Sequence, residues 1–258
     1  MFDFEVLPLL DATTRALLGR VGQACRDAVL RSPKLPCAGR TVGVKLPVEE
    51  FVMSVQLLAW AKENACPWEA RVSFLAARGG HLESLRWARE HGCEWNADTC
   101  QHAALGGHLE VLRWAREHGC DWDAATCACA AQEGHLEVLK WAREHHCPWD
   151  SMTCELAARA GHLEVLKWAV ERGCPWSAEA LCAHAALGGQ LEVLRWLQEH
   201  DYLWDAWACA GAAEGGQLET LQWLREHDCP WDARTVERAT AAGHDDLLQW
   251  ALNNGCPW

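Results

Sequence analysis

The chain has 258 residues, a net charge of −13 and 17 tryptophans, and its charge is uneven: residues 1–50 carry seven Lys/Arg against six Asp/Glu, the remainder 16 against 30. An acidic surface disfavours the phosphate backbone of nucleic acid, and no run of residues approaches the roughly 20 apolar residues of a membrane span. Met1-Phe2-Asp3-Phe4-Glu5 is acidic where a secretory signal is basic, and the 15 cysteines are an odd number that follows a repeat rather than a disulfide framework, so a reducing cytoplasm or nucleus is the expected compartment.

In chain order, residues 1–30 read as a helical N-terminal cap, from Leu10-Asp11-Ala12-Thr13-Thr14-Arg15-Ala16-Leu17-Leu18 through Val21-Gly22-Gln23-Ala24-Cys25-Arg26-Asp27-Ala28-Val29. Residues 31–48, with Pro33, Pro36, Gly39, Gly43 and Pro47, read as a connector. From residue 49 to 258 one pattern repeats. A tryptophan falls at Trp60, Trp87, Trp114, Trp141, Trp168, Trp196, Trp223 and Trp250, every 27 residues with one step of 28, and a second tryptophan follows eight residues after each. A fixed period of this size marks a solenoid, whose units bury their apolar faces only by stacking on neighbours.

Within a repeat, the residue after the second tryptophan is Asn96, Asp123, Asp150, Ser177, Asp205 or Asp232, side chains that cap a first helical turn. Small apolar residues at Ala124, Cys127, Ala130 and Ala131 keep helical spacing, which predicts a short helix A suited to close backbone approach. Gly80, Gly107, Gly134, Gly161, Gly189, Gly216 and Gly243 end it in one register. Helix B follows, as from Leu136 to His145, with Glu137 in its first turn where the dipole favours negative charge. It stops at Gly92, Gly119, Gly173 or Gly255 and a Cys-Pro-Trp turn. Two helices in 27 residues leave no room for a strand, so the fold class is all-α: an α-solenoid of stacked helix-turn-helix repeats behind a helical cap. The tryptophans, strictly in register, are expected in the core, each burying about 200 Å². Arg143 is expected on the wet side of helix B, where its loss should matter little.

Gly134-His135-Leu136-Glu137-Val138-Leu139, with Ala130-Ala131 upstream, resembles the centre of an ankyrin repeat, and the match recurs in seven repeats over roughly residues 50–258. The repeats are shorter than the family's 33 residues. The Thr-Pro-Leu-His motif is replaced by Thr99-Cys100, Thr126-Cys127 and Thr153-Cys154. The missing residues would have formed the projecting β-hairpin that ankyrin proteins use on partners, and the second tryptophan is expected to fill the volume left by the shortened connection. The resemblance implies a non-enzymatic protein-binding scaffold, with no cofactor. Separately, residues 10–29 are similar to the second half of an F-box, which would imply docking on a cullin-type ubiquitin ligase. That family's tryptophan is missing here and its first helix is cut to Glu5-Val6-Leu7-Pro8. A plain cap shielding the first repeat is the simpler reading.

His-x-Cys at His91/Cys93, His118/Cys120, His145/Cys147 and His227/Cys229 invites zinc, but no paired Cys-x-x-Cys or His-x-x-x-His completes a tetrahedral set. Buried cysteine as a small hydrophobe is the better account. The turn histidines His81, His108, His135 and His162 give way to Gln190 and Gln217. A general base would not survive that exchange, whereas a hydrogen-bonding role would. What does vary between repeats is a stripe three, seven and ten residues after the second tryptophan, on one side of helix A. From it Asp98, His102, Leu105, Met152, Leu156, Arg159, Trp207, Arg234 and Arg238 are taken as candidate partner-binding residues on the concave face. Trp207 stands out as the one tryptophan outside both registers, and exposed tryptophans are favoured anchors. A plug beside Tyr202-Leu203, where Cys-Pro is lost, is its structural alternative. The partner is expected to be another protein, bound by a monomer.

Overall fold

From Asn96 onward, each helix A is fixed at its start by the capping side chain the sequence supplies. In the computed structural model, which describes residues 52–63 and 68–258, Asn96, Asp123, Asp150, Asp205 and Asp232 accept a hydrogen bond from the backbone N–H two residues on, and Ser177 from the one three residues on. The N-terminal cap with its F-box-like segment, the connector and the first residues of the array lie outside the described residues.

The described residues form fifteen helices and no strand. In chain order they are α1 (Val55–Glu63), α2 (Ala70–Arg78), α3 (Leu82–Glu90), α4 (Ala97–Leu105), α5 (Leu109–Glu117), α6 (Ala124–Gln132), α7 (Leu136–Glu144), α8 (Ser151–Ala160), α9 (Leu163–Glu171), α10 (Ala178–Leu187), α11 (Leu191–Glu199), α12 (Ala206–Glu214), α13 (Leu218–Glu226), α14 (Ala233–Ala242) and α15 (Asp245–Asn253). Even-numbered helices are the helix A elements and odd-numbered ones the helix B elements. The chain divides after Trp122 into two compact units. In the first, α2 packs on α4; in the second, α6, α8, α10, α12 and α14 pack in succession, and each helix A also packs on its own helix B. No helix among the described residues is long and apolar enough to cross a membrane.

The core is made of small side chains. Leu85, Leu112, Leu139, Leu166, Leu194 and Leu221 are fully buried in the helix B register, and alanines, cysteines and threonines fill the A–A contacts. Small residues let the backbones close up: a Cβ placed on Gly211 would sit 2.4 Å from the Ala183 carbonyl oxygen, and one on Gly188 1.8 Å from that of Arg159. The cysteines two residues before the second tryptophan are buried and turn their thiols to the carbonyl of the residue that caps the same repeat's helix A, as Cys120 to Asn96 at 3.2 Å and Cys174 to Asp150 at 3.3 Å.

The expected deep burial of the tryptophans is not met. Those in the two registers whose side chains are described are half-buried, apart from exposed Trp258. A core of leucine and alanine at close backbone spacing has no room for an indole, so the rings lie over it as an outer layer. Each second tryptophan stands edge-on to the first tryptophan of the following helix B: Trp95 to Trp114 at 5.6 Å, Trp149 to Trp168 at 6.0 Å, Trp204 to Trp223 at 5.6 Å. Arg143 is also misplaced by the sequence reading. It is half-buried, donates to the Cys147 carbonyl and lays its guanidinium 4.1 Å from the Trp149 ring centre. Arg89, Arg116 and Arg225 do the same in their repeats.

Candidate partner-binding face

The varied stripe of helix A can serve a partner only if its side chains leave the core. In the first unit, Asp98, His102 and Leu105 lie half-buried along α4. His102 is committed internally: its ring stacks on Phe74 at 4.5 Å and its Nδ1 meets the Asp98 carbonyl at 2.8 Å. Phe74, one helix back, is outside the stripe and could not have been chosen from the sequence. In the second unit, Met152 is 43% exposed, Leu156 is half-buried and Arg159 is exposed, in line along α8.

Three of the candidates come together. Trp207 on α12 is 42% exposed, and the guanidinium carbons of Arg234 and Arg238 on α14 lie 4.2 and 5.8 Å from its ring centre. Each arginine has its own carboxylate: Arg234 to Asp232 at 2.6 Å, Arg238 to Glu214 at 2.8 Å. The Arg234 guanidinium holds the Asp232 carboxyl below its usual range, which keeps the cap of α14 charged. Beside the ring runs a groove of about 190 Å³ floored by Ala210 and Gly211 and walled by His184, Leu187, Glu214 and Arg238. His184, Leu187 and Glu214 belong to the same varied stripe, but nothing in the sequence ranked them above its other members.

The plug account of Trp207 finds its place already taken. Tyr202 carries the backbone hydrogen bond to Leu197 that the cysteine makes in other repeats, and its ring packs on Trp176 at 4.8 Å and Trp196 at 6.0 Å. Leu203, in the proline position, is 82% exposed.

The motifs that invited chemistry resolve into packing. In His-x-Cys the two side chains part: His91, His118 and His145 stack on the tryptophan four residues earlier, outside, while Cys93, Cys120 and Cys147 turn inward. The hydrogen bond to Cys120, then burial, pushes the Cys100 thiol up; Cys182 is pushed up to about 12, chiefly by burial. Such thiols stay protonated and are poor nucleophiles. Among the described residues no three His, Cys, Asp or Glu side chains are placed to hold a metal ion. The turn residues hydrogen-bond across repeats: Gln190 donates to the Arg159 carbonyl at 3.3 Å, and His244 Nε2 lies 3.1 Å from that of Glu214.

Residues 100–143 match the family model of ankyrin repeats (many copies). A search of curated proteins found no match.

Proposed function

We propose that this chain, whose residues 100–143 match the ankyrin-repeat model, is an array of shortened ankyrin-like repeats and a non-enzymatic scaffold that holds its partner protein on the helix A face. Ankyrin repeats serve protein–protein interaction, and this array has lost the hairpin residues that would project from the ends of its helices. The varied helix A stripe is the remaining surface that differs from repeat to repeat, and Asp98, Leu105, Met152, Leu156, Arg159, Trp207, Arg234 and Arg238 are its contact residues, His102 being held against Phe74. The observation that carries this reading is Trp207, a large ring 42% exposed beside an open groove, where the same position in other repeats holds Asp98, Ala125, Met152 or Arg234. The buried free thiols suit a reducing compartment, and the acidic surface suits a soluble monomer that avoids nucleic acid.

The test is Trp207→Ala measured twice. Partners captured from lysate by the wild-type chain are identified by mass spectrometry, and the affinity of the main one is compared between the two proteins. Stability should fall by no more than about 1 kcal/mol, the scale of an exposed cation–π contact. Capture should weaken by about 2 kcal/mol or more, as at an interface hot spot. A large loss of stability with capture unchanged would remove Trp207 as the anchor.

A further inference from the structure

The repeat is its own control, so a departure in its outer layer needs a reason. Four residues after the first tryptophan most repeats place a histidine that lies over the indole: His91 on Trp87 at 3.9 Å, His118 on Trp114 at 4.4 Å, His145 on Trp141 at 4.3 Å, His227 on Trp223 at 4.2 Å. Its Nδ1 sits 2.7–2.8 Å from the tryptophan carbonyl, which pins the ring flat. After Trp168 that residue is Arg172, exposed, with its guanidinium carbon 5.6 Å from the ring centre. A looser cation–π contact thus replaces the flat histidine, and a groove of about 270 Å³ lies there, lined by Lys140, Arg143 and Glu144 of α7, by Trp149, and by Trp168 and Arg172 at α9. Its lining holds three cations against one carboxylate, in a part of the chain where acids outnumber bases 30 to 16. The residues in the same register around α3 and α5 are Arg86, Arg89, Glu90, Trp95, Trp114 and His118, so the third full cation is what α9 adds.

We propose that this groove, on the helix B side and independent of the helix A reading, binds an aromatic ring that carries a phosphate. The ring lies against the indole of Trp168, which carries no stacked histidine, in the offset or edge-on packing aromatic pairs prefer. The phosphate reaches Arg172 and Lys140, and Arg143 through the donors it does not give to the Cys147 carbonyl. Lys140 is held by Glu137 at 2.7 Å in an exposed pair, which a dianion can outcompete. A nucleotide and a phosphotyrosine side chain share this chemistry.

The experiment follows the tryptophan indole N–H signals of the ¹⁵N-labelled full chain during titration with phenyl phosphate. Trp149 and Trp168 should shift saturably, and inorganic phosphate should bind at least tenfold more weakly. Arg172→His restores the cover found in the other repeats, so it should leave the melting temperature in place and weaken phenyl phosphate at least tenfold. His118→Arg should create a second site, read as new shifts at Trp95 and Trp114. Arms with adenosine monophosphate and a phosphotyrosyl peptide then tell a free nucleotide from a protein side chain as the source, the tighter naming it. Absence of a saturable shift, equal binding of inorganic phosphate, or binding that survives Arg172→His unchanged would each overturn the proposal.

Discussion

The two sides of the array repeat to different depths. On the helix A side only the buried residues recur, Thr-Cys and Ala-Ala, while the positions that solvent reaches drift from Asp98 to Met152 to Trp207. On the helix B side the partly exposed residues recur as well: tryptophan, the histidine over it, the arginine that bridges the next turn. A residue that repeats although solvent reaches it is held by its neighbours. The helix B surface is therefore an outer structural layer, and the helix A surface is where the chain is at liberty to differ.

The comparison is broken most directly from beneath. Leu139 is fully buried under that outer layer, so Leu139→Ala should cost about 2–5 kcal/mol in denaturant melts, the range for deleting a buried leucine. A loss under 1 kcal/mol would mean the aromatic layer carries the stability and the leucine core does not. The layer itself is tested by Arg143. With its ring contact and its bond to the Cys147 carbonyl, Arg143→Ala should cost about 1 kcal/mol. A double-mutant cycle with Trp149→Ala should find a coupling of roughly 0.5–1 kcal/mol. Zero coupling would return the arginine to the solvated face where its sequence places it. The smallest effect sharpens the picture: helix B is closed by a left-handed residue, glycine at Gly92, Gly119, Gly173 and Gly255 but His146, Asp201 and Asp228 elsewhere, with φ of 64°, 57° and 58°. The space around a Cβ at Gly92 and Gly119 is open, so the cost at His146 is torsional alone. His146→Gly should stabilise by about 0.5–1 kcal/mol, seen as a higher melting temperature.

Period, caps and glycines made the helices legible from the sequence, because each is a local rule: the capping side chain at Asp150 and the left-handed Gly161 need no tertiary information. What the sequence could not convey was depth. A tryptophan in strict register reads as core, and only the close A–A spacing, set by residues such as Gly188 and Gly211, shows that no core was left for it. Arg143 was misjudged for the same reason, since its contacts are to a carbonyl four residues on and to a ring six residues on, outside the helical face that periodicity describes. At the candidate site the stripe was legible as variation. The grouping of Trp207 with Arg234 and Arg238, and the removal of His102 onto Phe74, depend on which helices lie side by side.

Within each unit a turn residue occupies the space above a glycine of the preceding repeat: a Cβ on Gly80 would meet the His108 ring at 2.6 Å, one on Gly134 the ring of His162 at 2.7 Å, one on Gly189 the amide of Gln217 at 2.6 Å. Every such repeat thus carries a key at one side and its matching lock at the other, in the same dipeptide. A gene encoding this chain can gain or lose a whole 27-residue cassette and still join key to lock at the new seam. An excision that leaves key and lock out of register sets a side chain against a ring. Copy number is then the dimension along which this architecture varies most easily, and with it the length of surface available to whatever the array holds.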